Sequence, residues 1–210
     1  MESGIWVVLE GGDGAGKSTQ ARHLAERLQG LGWDTILTRE PGGTDLGAKI
    51  RELLLHGEHV DPRAEALLYA ADRAHHIANV VQPALAAGKA VIQDRFIDSS
   101  VAYQGAGRGF SPTEILSLND WAVAGARPDL TVLLDIDADA SLSRAAARGG
   151  KLDRVEAAGS EFHRQVRAGF LAQAKAQTAA GANYLVLDAT SSPEKLSEQI
   201  WAAVSQLLNS

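Results

Sequence analysis

The chain has 210 residues, of which 45% are hydrophobic and 22% are charged, a balance that suits a folded domain and excludes a disordered chain. The net charge of -6 disfavours binding to nucleic-acid polymers or anionic membranes, and the absence of cysteine excludes disulfides, thiolate metal sites and a cysteine nucleophile. The length predicts a single domain over residues 1–210.

The start of the chain predicts a strand rather than a targeting segment. It lacks a basic region followed by an apolar signal segment, and no run of about 18 apolar residues predicts a membrane-spanning helix. We therefore expect a cytoplasmic protein.

Five short apolar segments alternate with helix-like stretches. This alternation is typical of an α/β fold, here a doubly wound parallel five-stranded sheet of the P-loop NTPase type with helices on both faces. Ligands bind such sheets at the carboxyl ends of the strands. The predicted strands are Ile5–Leu9, Asp34–Thr38, Ala90–Gln93, Leu130–Ile136 and Tyr184–Leu187.

The first predicted strand is followed by Gly-Gly-Asp-Gly-Ala-Gly-Lys-Ser at 11–18, the pattern of a phosphate-binding loop before a helix. Glycines let backbone N–H groups surround an anion, and the helix presents its positive end. Lys17, expected to be exposed, would reach the β- and γ-phosphates, and Ser18 would ligate Mg²⁺. The strand and helix disfavour an incidental glycine-rich turn. The predicted ATP-binding residues are Gly11, Gly12, Asp13, Gly14, Ala15, Gly16, Lys17, Ser18 and Thr19.

The turn and the two helices that follow the second strand are candidates for the site of a phosphate acceptor. The turn at 38–44 contains Glu40, and the next predicted helix contains Arg51. A further helix begins with Asp61-Pro62 as N-cap and first residue, and it places Tyr69 and Arg73 on one face. A ring and a guanidinium so arranged would stack on a base and bind its edge. A core-edge tyrosine with a solvated arginine is the alternative.

The third strand is followed by Asp94 and Arg95, which would serve the Mg²⁺ shell and a second phosphate, respectively. An exposed ion pair at a helix start is the alternative. The polar run 99–104 then adds donors near the same space. The six histidines show no ligand spacing and are interpreted as surface residues. Capping boxes are predicted at Ser111 and Ser191.

A basic, glycine-containing stretch at about 144–158 predicts a mobile lid within the acidic chain. Arginines that close over a triphosphate would neutralise charge and exclude water. A solvated run of charges is the alternative interpretation.

Taken in order, these segments resemble the thymidylate kinase family over nearly the whole chain, in its bacterial type with a basic lid. The segment beginning DRFIDSSVAYQ is the most specific, because a generic P-loop protein has no need of it. The segments that carry the resemblance are VLEGGDGAGKST at 8–19, TREPGGT at 38–44, RAEALLYAADR at 63–73, DRFIDSSVAYQGAGRG at 94–109, PDLTVLLD at 128–135 and RGGKLDR at 148–154.

The resemblance implies transfer of the ATP γ-phosphoryl group to dTMP, with Mg²⁺ and as a homodimer. By position, Tyr69 stacks on thymine where phenylalanine is commoner, and Tyr103 crowds a 2′-hydroxyl. The phosphate loop lacks the arginine of some members, so the lid arginines would supply that charge. The resemblance implies catalytic Asp13, Lys17, Arg95, Arg148 and Arg154; substrate-binding Glu40, Arg51, Tyr69, Arg73, Arg95, Ser100, Tyr103 and Gln104; and metal-binding Ser18 and Asp94.

Three alternatives are considered at this stage, of which a pseudo-enzyme scaffold conflicts with the complete phosphate-binding loop and the presence of Asp94 and Arg95. A different small P-loop kinase would share the loop and differ in its acceptor, which is another nucleotide or a metabolite alcohol. A nucleotide-dependent switch is disfavoured, because the chain lacks Asn-Lys-x-Asp and carries an arginine-rich lid.

Overall fold

The computed structural model describes residues 4–147, 154–155 and 158–209. Five parallel strands form one sheet in the order β2-β3-β1-β4-β5. The predicted α/β class and five-stranded parallel sheet are confirmed, and each strand lies within a residue or two of its predicted bounds. The strands are β1 (Ile5–Glu10), β2 (Thr35–Arg39), β3 (Ala90–Asp94), β4 (Leu130–Asp135) and β5 (Tyr184–Asp188).

Helices cover both faces of this sheet. Two π-helical stretches, Ile77–Val81 and Val101–Gly107, directly follow α3 and α5 and extend them. In the described ranges, no helix is long and apolar enough to cross a membrane. The helices are α1 (Lys17–Gly30), α2 (Asp45–Leu55), α3 (Pro62–His76), α4 (Gln82–Ala86), α5 (Ile97–Ser100), α6 (Pro112–Val123), α7 (Ala138–Ala147), α8 (Ser160–Ala179) and α9 (Pro193–Leu208).

The central strand β1 is buried along its whole length, which explains its continuous apolar sequence. Successive side chains point to opposite faces. Val7 and Leu9 pack in the core formed with α1 and α9, whereas Trp6 and Val8 pack in the core formed with α3 and α6. The sheet is therefore held between two helical layers.

The register of the strands brings the candidate site together. Leu9 of β1 lies beside Asp94 of β3, which in turn lies beside Arg39 of β2. The three strands thus end level, and the loops that follow them leave the sheet at one edge. Most of the polar segments singled out in the sequence belong to these loops or to the helices after them.

Helix starts were predicted with mixed success. Asp61 caps α3 as expected, and its carboxylate accepts from Arg63 N at 2.9 Å. The capping box at Ser111 is wrong, because α6 begins after Ser111 but the serine side chain makes no cap bond. The box at Ser191 is also wrong, because the cap is the next residue and Lys195 stands where a capping box has Glu or Gln. Ser192 is the cap, because Pro193 occupies the first helical position.

Candidate functional site

The loop at residues 11–18 joins β1 to α1 with the geometry that its glycines allow. Gly11, Gly14 and Gly16 have φ values of 133°, 76° and 94°, respectively, which side-chain-bearing residues rarely adopt. A Cβ on Gly11 would also press against the carbonyl oxygen of Leu134 in β4. The loop can therefore turn tightly between strand and helix and present N–H groups to an anion.

Lys17 is buried rather than exposed, so that expectation is wrong. Its Nζ donates to the carbonyl oxygens of Gly11 at 3.0 Å and Gly12 at 2.8 Å. Burial, together with the charge of Arg95, lowers the pKa of Lys17, against the opposing effect of nearby carboxylates. The ammonium lies across the loop and lines the cleft above it.

Ser18 and Asp94 meet beside this cleft, as a magnesium site requires. The Ser18 hydroxyl donates to Asp94 Oδ2 at 2.9 Å, while Asp94 Oδ1 is buried without a hydrogen-bond partner among the described residues. A hydroxyl and a carboxylate with an oxygen to spare suit Mg²⁺, which usually takes its remaining ligands from water and substrate phosphates. No group of three or more acidic or histidine ligands occurs in the described part of the chain.

Arg95 connects the phosphate-binding loop to the loop after β3. Its guanidinium binds Asp13 Oδ1 at 2.6 Å and Gly11 O at 3.0 Å, and its backbone has a left-handed φ of 71°. Tyr103 donates to Asp13 Oδ2 at 3.0 Å. Burial opposes ionisation of Asp13, but the charges of Arg95 and Lys17 hold its pKa well below the usual range. Asp13 is therefore a fixed negative charge.

A second cleft adjoins the first, and most of its lining comes from the predicted acceptor residues. It lies between the turn after β2, helices α2 and α3, and the segment after β3. Asp13, Glu40, Arg51 and Arg95 line both clefts, so the two clefts meet at these side chains. The cavity is lined by Asp13, Glu40, Pro41, Arg51, Leu55, Tyr69, Arg73, Arg95, Ser99, Ser100, Tyr103, Gln104 and Val155.

Arg73 is fixed by partners on several elements and is not solvated. It donates to Glu40 at 2.7 Å, Ser100 at 2.9 Å and Phe96 O at 2.9 Å, and also to Asn119. These bonds use four of the five N–H groups that a guanidinium carries, and the remaining one belongs to Nη2. Arg73 can therefore offer one donor to the cavity while the protein holds it in place.

Glu40 lies behind Arg73 and connects it to His76. The carboxylate accepts from Arg73 with Oε2 and lies 2.8 Å from His76 Nδ1 with Oε1, while His76 Nε2 lies 2.6 Å from Thr38 Oγ1. His76 and His163 are buried, so the interpretation of all six histidines as surface residues is wrong. The spacing of His76 from Arg73, three residues along α3, was the available signal.

The remaining acceptor candidates line the same cavity. Arg51 donates to Pro41 O at 3.1 Å, Tyr69 is half-buried, and Gln104 donates to Glu65 at 2.9 Å. Of the two lid arginines, Arg148 lies outside the described residues. Arg154 binds Glu65 Oε2 at 2.6 Å and Leu54 O at 3.0 Å, on the acceptor side of the site.

Two buried glutamates were missed by sequence reasoning. Glu10 accepts from Phe96 N at 2.8 Å and from Ser99 Oγ at 2.6 Å, so it shapes the segment that carries the acceptor residues. Burial and the nearby Asp98 raise the pKa of Glu10 to about 7. Glu65 is the second. An acid that ends a buried strand, as Glu10 does, was a usable signal, because such a residue needs donors.

Comparisons with known proteins agree with this arrangement. A family model described as thymidylate kinase matches residues 9–200. The thymidylate kinase of Leifsonia xyli subsp. xyli is 54% identical over 94% of this chain and 92% of its own length, and that of Clavibacter sepedonicus is 51% identical over 98% and 97%. The crystal structure of thymidylate kinase from Ehrlichia chaffeensis is 34% identical, with a TM-score of 0.72 over 88% of this chain and 93% of that one.

The buried carboxylate of Asp72 should make the stability of the protein depend on pH. Its Oδ1 accepts from Gly42 N at 3.1 Å, its Oδ2 is buried without a partner among the described residues, and burial and Glu40 raise its pKa to about 6. The folded chain thus holds this proton more tightly than the unfolded chain, where aspartate titrates near about 3.9. The free energy of unfolding should therefore fall as the pH rises from about 3.9 to about 6. Above that range, Asp72 adds no further pH dependence.

We expect Asp72→Asn to remove this part of the pH dependence and to raise the free energy of unfolding relative to wild type at neutral pH. Urea denaturation from about pH 4 to about pH 8 measures both profiles. Asp120→Asn, which changes an exposed carboxylate, is the control and should follow wild type. Parallel profiles for wild type and Asp72→Asn would contradict the prediction.

Proposed function

The chain belongs to the thymidylate kinase family, and we propose that its two adjoining clefts transfer the γ-phosphoryl group of ATP to dTMP, giving dTDP and ADP. This assignment rests chiefly on the junction of the two clefts, because Asp13 and Arg95 line both of them and a phosphoryl group has to pass from one to the other. A different nucleotide or metabolite acceptor is not favoured, because the relatives named above are thymidylate kinases.

The cleft over the phosphate-binding loop would hold the ATP phosphates. Most of the loop and the start of α1 line this space, where the helix presents its positive end and Lys17 adds a positive charge; the lining residues of this stretch are Asp13, Gly14, Gly16, Lys17, Ser18 and Thr19. Ser18 and Asp94 would hold Mg²⁺, directly or through water. When bound, Mg²⁺ neutralises charge on the phosphate oxygens.

The acceptor cavity would hold dTMP with its phosphate toward the junction. Arg51 and Arg95 would bind that phosphate, because both residues line both clefts and carry guanidinium groups. Tyr69 would stack on the base, whose edge would meet Arg73, Ser100 and Gln104. Glu40 would act through Arg73, and Tyr103 would lie against the sugar.

The reaction requires little covalent chemistry from the protein. A phosphate oxygen of dTMP attacks the γ-phosphorus as its bond to the β,γ-bridging oxygen breaks, and ADP leaves with that oxygen. Lys17 and Arg95 would stabilise the transferring group by charge, with Arg148 and Arg154 of the lid contributing as it closes. Asp13 keeps Arg95 oriented while remaining ionised.

We also propose one catalytic domain with a lid at about 144–158, active as a cytoplasmic homodimer. Leu53 on α2 and Leu67 on α3 are 55% and 53% exposed, which gives these neighbouring helices apolar surface for a second copy. Neither substrate is a nucleic-acid polymer or a lipid.

Lys17→Ala is expected to abolish phosphoryl transfer. The variant loses the ammonium nearest the loop and its hydrogen bonds to the carbonyl oxygens of Gly11 and Gly12, of which Gly11 O keeps Arg95 as a donor, so its melting temperature should be measured alongside turnover. Lys195→Ala, at an exposed position on α9, is the matched control and should retain wild-type activity. Near-normal turnover of Lys17→Ala in an ADP-coupled assay would contradict the assignment of the loop.

A panel of monophosphate acceptors tests the proposed substrate. We expect dTMP to be preferred strongly over cytidine and purine monophosphates, because sites built to hydrogen-bond a substrate reject analogues that leave them unpaired, often by about 10⁴-fold or more. Deoxyuridylate lacks only a methyl group and should lose about 10–200-fold in kcat/KM. Equal rates with adenylate or cytidylate would restore the alternative small kinase.

Arg73→Lys and Arg95→Lys should separate base recognition from phosphate recognition. Each lysine keeps the charge beside Glu40 or Asp13 but loses the planar donor fork. Arg73→Lys should lower kcat/KM for dTMP and narrow the preference over dCMP, whereas Arg95→Lys should lower kcat/KM for all monophosphates alike. An unchanged preference in Arg73→Lys would show that Arg73 does not read the base.

A further inference from the structure

Glu65 is a buried carboxylate that the proposed reaction does not use. It lies in the first turn of α3, is 1% exposed, and accepts hydrogen bonds from three side chains of other segments. Gln104 donates to Oε1 at 2.9 Å, Arg154 donates to Oε2 at 2.6 Å, and Arg108 donates to the two oxygens at 3.2 Å each. Two segments distant from α3 in sequence, one with Gln104 and Arg108 and one with Arg154, thus converge on one carboxylate.

The two arginines keep this carboxylate ionised. Burial alone would raise the pKa of Glu65, but the hydrogen bonds from Arg108, Gln104 and Arg154 lower it below the usual value. An ionised carboxylate can only accept hydrogen bonds. Whatever Gln104 presents to Glu65 must therefore be a donor.

This constraint fixes the orientation of the Gln104 side chain. The amide nitrogen faces Glu65, so the amide oxygen is the group left to meet a ligand in the cavity that Gln104 lines. A free amide could turn either end toward a ligand, since its oxygen and nitrogen are nearly the same size. Glu65 removes that choice and leaves an acceptor toward the base.

An acceptor at this position favours one class of pyrimidine. Thymine and uracil carry a hydrogen on N3 and can donate there, whereas N3 of cytosine carries none and only accepts. A cytosine ring placed against the amide oxygen would set two acceptors against each other and leave both unpaired, which is costly in a buried site.

We propose that Glu65 is a positioning residue that selects the acceptor base, by holding the Gln104 amide oxygen toward the cavity, with Arg108 and Arg154 holding Glu65 in turn. This inference rests on the proposed function. It assigns to Arg154, at the end of the lid segment, a part in base selection as well as in closure.

The test compares kcat/KM for dTMP and dCMP in wild type and Glu65→Gln. The glutamine at position 65 can donate as well as accept, so the Gln104 amide is free to turn. We expect the preference for dTMP over dCMP to fall by about tenfold or more, as for one mismatched buried hydrogen bond. The KM for dTMP should rise more than kcat falls. Glu65→Asp, which keeps an ionised acceptor, should keep most of the preference.

Val204→Ala is the control for a merely structural role. It removes packing from the buried face of α9, does not line the cavity, and leaves Glu65 with all of its partners. We expect it to lower the melting temperature while the preference stays near wild type. A loss of preference in Glu65→Gln that Val204→Ala reproduces at equal loss of melting temperature would overturn the proposal.

Gln104→Met provides a second test of the proposal if Glu65→Gln does not fold. Methionine is similar in volume, buries no charge, and leaves Glu65 with both arginines. The preference should fall in Gln104→Met as well, and an undiminished preference would overturn the proposal. Failure of the proposed function is distinguishable, because wild type itself would then show no preference for dTMP.

Discussion

The ion pair between Asp13 and Arg95 is the contact on which the arrangement of both clefts depends. Asp13 follows β1 and Arg95 follows β3, and because these strands are neighbours that end level, the two side chains meet at 2.6 Å. Arg95 adopts a left-handed backbone there, which costs a non-glycine residue about 1–2 kcal/mol. Its bonds to Asp13, Gly11 O and Ser99 offset that cost. A different strand order would separate the two clefts.

Three buried glutamates set the shape of the acceptor side. Glu10 holds the segment after β3, Glu40 holds Arg73 and His76, and Glu65 holds Gln104. Burying a carboxylate costs several kcal/mol unless donors surround it, so each one fixes the position of the groups that bind it. Removing one partner from such a cluster would leave an uncompensated charge. Several of the side chains that line the cavity are therefore held by these buried carboxylates.

The fold was predictable from the sequence because its signals are local. Buried parallel strands are continuous apolar runs, and the loop at 11–18 has its own spacing, so the strand bounds and the start of α1 needed no distant information. The burial of Lys17 and His76 was not predictable in this way. Lys17 is covered by carbonyls of its own loop, and the partner of His76 is Glu40, from another element. Residue type alone favours exposure for lysine and gives no clear preference for histidine.

One local sequence pattern on α3 nevertheless indicates the acceptor site. Glu65, Tyr69, Arg73 and His76 are spaced by four, four and three residues, so they share one face of the helix. Three of them are buried and Tyr69 is half-buried, although a core-facing stripe is normally apolar. A polar stripe on the buried side of a helix must find partners within the protein or a ligand. Here the carboxylates of Glu40 and Glu65 satisfy part of that demand, and the remaining donors and acceptors face the cavity where the base is proposed to bind.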